Sequence, residues 1–198
     1  QGRGDGGDAV HLAEPANLLK LWGTAPTRQL RAHGVAVGLP SDADMGNSEV
    51  GHNALGAGRV VRQGAALVND ALGSGALFRG DTWRWLLDSL PPDGTLHLCG
   101  LLSDGNVHAD MAHILALVDR AAVENVAKLR IHALADGRDV EDPSFERYLE
   151  VLDGRLEVHR RPGRDFQIAS GGGRMVVTMD RYEAYWSIVE RGWQAHVQ

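Results

Sequence analysis

Cys99 is the only cysteine in 198 residues, so no disulfide can form within the chain and a cysteine-rich zinc site is excluded. Lysine is nearly missing as well. Lys20 and Lys128 are the only two, and arginine supplies the rest of the positive charge. No apolar run approaches the roughly 20 residues that span a bilayer, and segment 1–8 lacks the basic and apolar stretches of a signal peptide. Nor is there an excess of cations. A formal net charge of −6 argues against a general nucleic-acid or anionic-membrane partner. These absences lead us to expect a soluble, cytoplasmic protein. What is present supports a folded core: 43% of residues are hydrophobic and 23% charged. The length suits one domain, or one domain plus part of a second.

Periodicity sets the expected elements. Pro15 to Trp22 reads as a helix, residues 26–33 as a second short helix, and Val35 to Val37 as a short strand, followed by a loop over 38–47. Arg62 to Phe78 is patterned as one helix. Asp81 reads as the cap of a helix over 82–90, ended by Pro91-Pro92. From residue 95 the rhythm changes. Strands are expected over 96–102, 129–134 and 166–169. Helices are expected over 110–125, 144–158 and 180–196, the last opened by Asp180 and Glu183 in capping-box spacing. Strand and helix alternate, which implies a parallel sheet. A change of domain is expected near residue 62.

Parallel α/β sheets place ligands beyond the carboxyl ends of their strands. Each expected strand here runs into a polar, glycine-bearing stretch: 103–108 with His108, 136–139 with Arg138 and Asp139, and 170–174 with three glycines and Arg174. Each stretch alone is an ordinary turn. Together they put arginines, carboxylates and a histidine along one edge, which suits a small ligand with anionic and hydroxyl groups. Arg181, at the start of the last helix, is a further candidate, and equally reads as a solvated residue. No Walker sequence or dinucleotide fingerprint is present.

The segment Gly46-Asn47-Ser48-Glu49-Val50-Gly51-His52 is the other distinctive stretch. Asn47 can cap a helix that starts at Ser48, which places the Ser48 hydroxyl where free N–H groups and the helix dipole favour phosphate. His52 lies one turn on and is a candidate base; a metal is the stronger activator for phosphoryl transfer. The plain alternative is a helix cap with an incidental serine and histidine.

The run from Gly46 to His52, continued by Asn53-Ala-Leu-Gly-Ala-Gly-Arg59, closely resembles the phosphoserine motif of the cofactor-independent phosphoglycerate mutases. The likeness extends through residues 31–40, 101–108, 135–139, 169–175 and 178–182, and the wording of the last two resembles the plant-type branch. It covers nearly all of 9–198. The resemblance implies an α/β chain: an incomplete alkaline-phosphatase-like segment (1–62) followed by part of an inserted, doubly wound parallel transferase domain (63–198). It implies interconversion of 3-phosphoglycerate and 2-phosphoglycerate in glycolysis and gluconeogenesis, through a phosphoserine and without bisphosphoglycerate. Ser48 would be the nucleophile and one metal ligand. His108, Arg138, Asp139, Arg174 and Arg181 would bind substrate. Two divalent ions, Mn²⁺ by this likeness, would serve the full-length enzyme, which is expected to be monomeric.

This chain departs from the family pattern in two ways. The opening Leu-Asp-Gly-x-Gly metal motif is not recognisable, and family members are more than twice as long. The isolated chain is therefore expected to have little or no activity. The readings that compete with a mutase are a non-catalytic phospho-ligand-binding or scaffold module, and a serine esterase using Ser48 and His52. The esterase reading lacks a nucleophile-elbow sequence.

Overall fold

A computed structural model describes residues 3–140, 145–178, 180 and 182–198. The chain divides into two compact units, Gln1–Arg31 and Ala32–Gln198. The first holds two helices. Helix α1 (Ala9–Ala13) begins where Asp8 accepts the N–H groups of Val10 and His11, each at 3.1 Å. Helix α2 (Ala16–Thr24) follows Pro15. The helix expected over 26–33 is not formed. Ala25 precedes Pro26 and is held extended, at ψ 152°, which ends the helical run.

In the second unit the expected strand at 35–37 is a turn of 3₁₀ helix, Gly34–Val37. Gly34 has φ +67°, and a Cβ there would lie 2.5 Å from Asp42 Oδ1, so the close approach of Asp42 requires glycine. Helix α3 (Ser48–Ala57) starts as expected, with Asn47 Oδ1 accepting the Val50 N–H at 3.0 Å. The single helix expected over 62–78 is two, α4 (Gly64–Gly73) and α5 (Ala76–Arg79). Gly75 turns left-handed between them, at φ +70°. Helix α6 (Asp81–Asp88) is capped by Gly80, so Asp81 is its first residue rather than its cap.

The strands β1 (Thr95–Leu102), β2 (Lys128–Ala135) and β3 (Asp165–Gly173) form one parallel sheet in the order β1-β2-β3. Helix α7 (Met111–Val123) connects the first two strands and α8 (Phe145–His159) precedes the third. Ile114 and Val118 of α7 and Leu152 and Leu156 of α8 bury against Leu129, Ile131 and Phe166 of the sheet, giving one continuous core. The alternation in β2 reports this: Leu129, Ile131 and Ala133 are inaccessible while Arg130 and His132 between them are not.

β3 is longer than expected. The glycines of 171–173, read from sequence as loop, complete the strand. A Cβ on Gly171 would sit 2.8 Å from the Ala133 carbonyl oxygen of β2, and one on Gly172 would sit 2.8 Å from Val177. Glycine is there for close packing. Helix α9 (Arg174–Val177) follows at once. The last helix, α10 (Trp186–Val197), starts later than expected, and the Asp180–Glu183 capping box is not made: Glu183 has φ +56°, outside the helical region.

On the face of the sheet away from α7 and α8 a polar chain links all three strands to α10. His97 Nδ1 lies 2.9 Å from His132 Nε2, His132 Nδ1 lies 2.6 Å from Ser170 Oγ, and Ser170 Oγ lies 2.7 Å from His196 Nδ1. Burial, helped by the neighbouring His97 and His196, holds the His132 pKa below its ordinary value.

Candidate functional site

The strands end level with one another. Leu102 pairs with Ala135, and Ala135 with Gly173. The next residue of each strand is therefore Ser103, Asp136 and Arg174, and these three side chains join across the sheet end. Ser103 Oγ donates to Asp136 Oδ2 at 2.6 Å. Arg174 Nη2 forms an ion pair with Asp136 Oδ1 at 2.6 Å and donates to Asp139 Oδ2 at 2.7 Å, while Arg174 Nε donates to the Asp136 carbonyl at 3.1 Å. The Asp139 N–H also donates to Asp136 Oδ1, at 3.1 Å. Both Nη1 protons of Arg174 remain without a partner among the described residues.

Around this buried layer lie the other residues expected from sequence. His108 Nε2 is 3.9 Å from Asp139 Oδ2, and Arg138 Nε is 4.0 Å from Asp139 Oδ1. His108 and Arg138 are about half exposed, at 51% and 49%, whereas Arg174 is 8% exposed. Three of the expected substrate residues, His108, Arg138 and Arg174, thus converge on a fourth, Asp139. Arg181 lies outside the described residues. Two arginines face two carboxylates here, so the edge is charge-balanced rather than a bare guanidinium rim. Sequence reasoning quoted the segments holding Ser103 and Asp136 but gave neither a role. Their shared position, first after a strand, was the signal available.

The loop carrying His108 also meets the segment ahead of Ser48. A cavity of about 330 Å³ is lined by Asn47, Glu49 and Val50 on one side and by Asn106, Val107 and His108 on the other. Ser48 is exposed at the first position of α3, as the cap reading requires. Its relation to His52 differs from that of a nucleophile and base. His52 Nδ1 lies 2.6 Å from the Ser48 carbonyl oxygen and 3.2 Å from Ser48 Oγ. A carbonyl only accepts, so the shorter contact puts the ring proton on Nδ1, and that nitrogen has no lone pair to take the hydroxyl proton. The geometry gives the esterase reading no base.

Among the described residues no three His, Cys, Asp or Glu side chains converge closely enough to hold a metal ion. No described helix is long and apolar enough to cross a membrane.

Several known proteins are similar to this chain over nearly its whole length. A probable 2,3-bisphosphoglycerate-independent phosphoglycerate mutase of Leptospira interrogans is 51% identical over 195 residues, covering 98% of this chain and 36% of that protein. The 2,3-bisphosphoglycerate-independent phosphoglycerate mutase of Trypanosoma brucei is 54% identical over 192 residues, covering 96% and 35%. The Zea mays protein of that name is 51% identical, covering 96% and 34%. A crystal structure of Leishmania mexicana phosphoglycerate mutase at low cobalt concentration superposes with a TM-score of 0.83 and 52% identity, over 98% of this chain and 36% of that one. The chain spans about a third of the length of these relatives. The family described as the BPG-independent PGAM N-terminus matches residues 68–198. That span contains every strand of the sheet, Asp139 and the three residues gathered on it, and the chain belongs to this family.

Proposed function

We propose that this chain is part of a cofactor-independent phosphoglycerate mutase, which interconverts 3-phosphoglycerate and 2-phosphoglycerate through phosphoserine at Ser48. The observation that carries the reading is the convergence of His108, Arg138 and Arg174 on Asp139 at the strand ends, in a chain of this family. In this reading the full-length protein has the alkaline-phosphatase-like and doubly wound transferase parts named above, divided near residue 62. It works in the cytoplasm, in glycolysis and gluconeogenesis, as a monomer with a small-molecule substrate, and it needs no bisphosphoglycerate.

The roles follow from chemistry and exposure. Arg138, half exposed, and the Nη1 group of Arg174, which has no partner among the described residues, are donors suited to phosphate and carboxylate oxygens. Arg181 would join them. His108 can donate to or accept from a phosphoglycerate oxygen. Ser48 Oγ attacks phosphorus: a Ser48 O–P bond forms, the substrate O–P bond breaks, and the glycerate is left with two hydroxyls. The hydroxyl that did not carry phosphate then attacks, giving its proton to Asp139 as the Ser48 O–P bond breaks, and the proton returns from Asp139 through solvent to the released Ser48 oxygen. Asp139 Oδ1 suits that task, because Oδ2 is engaged by Arg174 at 2.7 Å.

The likeness also implies Mn²⁺, with Ser48 as one ligand. The described residues do not by themselves form a divalent-ion site, since Ser48 would be an isolated oxygen, and no step above is routed through one. The same observation favours a second reading for this chain alone: it binds phosphoglycerate without turning it over.

The test is direct. Full-length protein is incubated with 3-phosphoglycerate, quenched in acid and mapped by mass spectrometry. Phosphate on Ser48, absent after Ser48→Ala, is the expected result. Phosphate on another residue, or none with turnover intact, overturns the assignment. Calorimetric titration of this chain with 3-phosphoglycerate, beside a coupled assay with Mn²⁺, tests the second reading, and robust turnover would refute it.

A further inference from the structure

Asp136 is the one carboxylate among the buried described residues, its side chain only 1% exposed, and the mechanism above gives it no task. We propose that Asp136 is the positioning residue of this site: it fixes Arg174 and Asp139 relative to each other and anchors the start of the loop that leads to His108. The inference rests on the mutase reading.

Each oxygen of Asp136 has a partner. Oδ1 pairs with the charge on Arg174 Nη2 and accepts from the Asp139 N–H, Oδ2 accepts from Ser103 Oγ, and the backbone carbonyl accepts from Arg174 Nε. Ser103 Oγ in turn accepts the Gly105 N–H at 3.1 Å, three residues before His108. One residue therefore holds the first side chain after β1, the first after β3 and the turn after β2. The grip on Arg174 is twofold, a hydrogen bond from Nε and an ion pair at Nη2, and so sets the plane of the guanidinium and the direction of its Nη1 group. Buried ion pairs contribute little net stability compared with apolar side chains of similar volume. A buried carboxylate at this point is explained better by the geometry it imposes. With its side chain sealed from solvent, Asp136 reaches the ligand only through its neighbours.

The test is Asp136→Asn in the full-length protein, followed by steady-state kinetics with 3-phosphoglycerate. Asparagine keeps the shape, and its amide can still meet Ser103 and the Asp139 N–H, but the charge that orients Arg174 is gone. KM is expected to rise about tenfold, the scale of one charged hydrogen bond lost from a binding group. A purely structural Asp136 would instead reduce the number of competent molecules, lowering apparent kcat at unchanged KM. That result overturns the proposal. Ser103→Ala is the second variant and decides by the same criterion if Asp136→Asn does not fold. It removes one of the bonds to Asp136 without changing charge, and a KM increase of about threefold is expected. An unaltered protein without turnover sinks the mutase reading and the role of Asp136 with it, whereas active variants with unchanged KM sink that role alone.

Discussion

Asn106 Nδ2 donates to Asp44 Oδ1 at 2.9 Å, and this bond joins the segment ahead of Ser48 to the loop that carries His108. Asp44 Oδ2 accepts the Ser41 N–H at 2.6 Å. Burial alone would raise the Asp44 pKa, but the hydrogen bonds from Asn106 and Ser41 outweigh it and hold the carboxyl below its ordinary value. Asn106 makes the bond from φ +54°, a left-handed conformation that asparagine tolerates better than most residues.

Replacing Asn106 tests that tie. Asn106→Gly keeps the backbone conformation and loses the bond, which should cost about 1.5–3 kcal/mol because the acceptor is charged. Asn106→Ala should cost about 1–2 kcal/mol more, from the left-handed φ. Urea unfolding of the three proteins measures both differences. Equal stability of the Gly and Ala variants would show that the strained backbone is not retained.

His52→Ala should leave phosphate transfer to Ser48 largely intact, since the proton on Nδ1 is committed to the Ser48 carbonyl. Acid-quenched phosphoprotein is the readout. Loss of labelling by a factor of about 100 or more, the usual scale for removing a general base, would restore His52 to the chemistry.

The chain His97–His132–Ser170–His196 predicts a pH dependence of stability. Folding depresses the His132 pKa below its unfolded value of about 6.5, so the unfolded chain holds more protons as pH falls below neutrality. Stability should therefore decline as pH drops below about 6.5 and level off once the folded protein is protonated too. His132→Gln should flatten that part of the profile. Melting temperature followed from pH 8 to pH 5 in both proteins decides the matter, and parallel curves would remove His132 as the cause.

The three glycines of β3 should respond differently to alanine. Gly171→Ala sets a methyl 2.8 Å from a backbone oxygen of β2, which can yield only if the strands part, and about 1–3 kcal/mol is expected. Gly173→Ala meets nothing closer than 3.7 Å and should be near neutral. Similar costs at both positions in chemical denaturation would refute close packing as the reason for the run.

Much of this was legible from residue pattern. The β1-α7-β2 and α8-β3 sequence followed from apolar periodicity, and the cap at Asn47 followed from side-chain chemistry, because both are local signals repeated over several residues. The misreadings share a cause. The conformation Pro26 imposes on Ala25 ends α2 without a further helix over 26–33, and the helix expected over 62–78 is broken by a positive φ at Gly75. The glycines of 171–173 were read as a turn because their true constraint, the Ala133 carbonyl on the adjoining strand, is 38 residues away in sequence. Asp136 went unassigned for the same reason: its importance comes from Ser103 and Arg174, which only the strand register brings beside it.

That register includes an irregularity. Ile131 pairs with Ile168 but His132 pairs with Ser170, so Ala169 is a supernumerary residue in β3. Excising it would leave every later pair in place, so the side chains downstream would keep their faces and the guanidinium its reach to both aspartates. Excising one residue from 171–173 instead would draw the guanidinium back along the sheet by about 3.3 Å. A single-codon deletion would then be absorbed at one point of the strand and would disarm the ligand edge a few residues on.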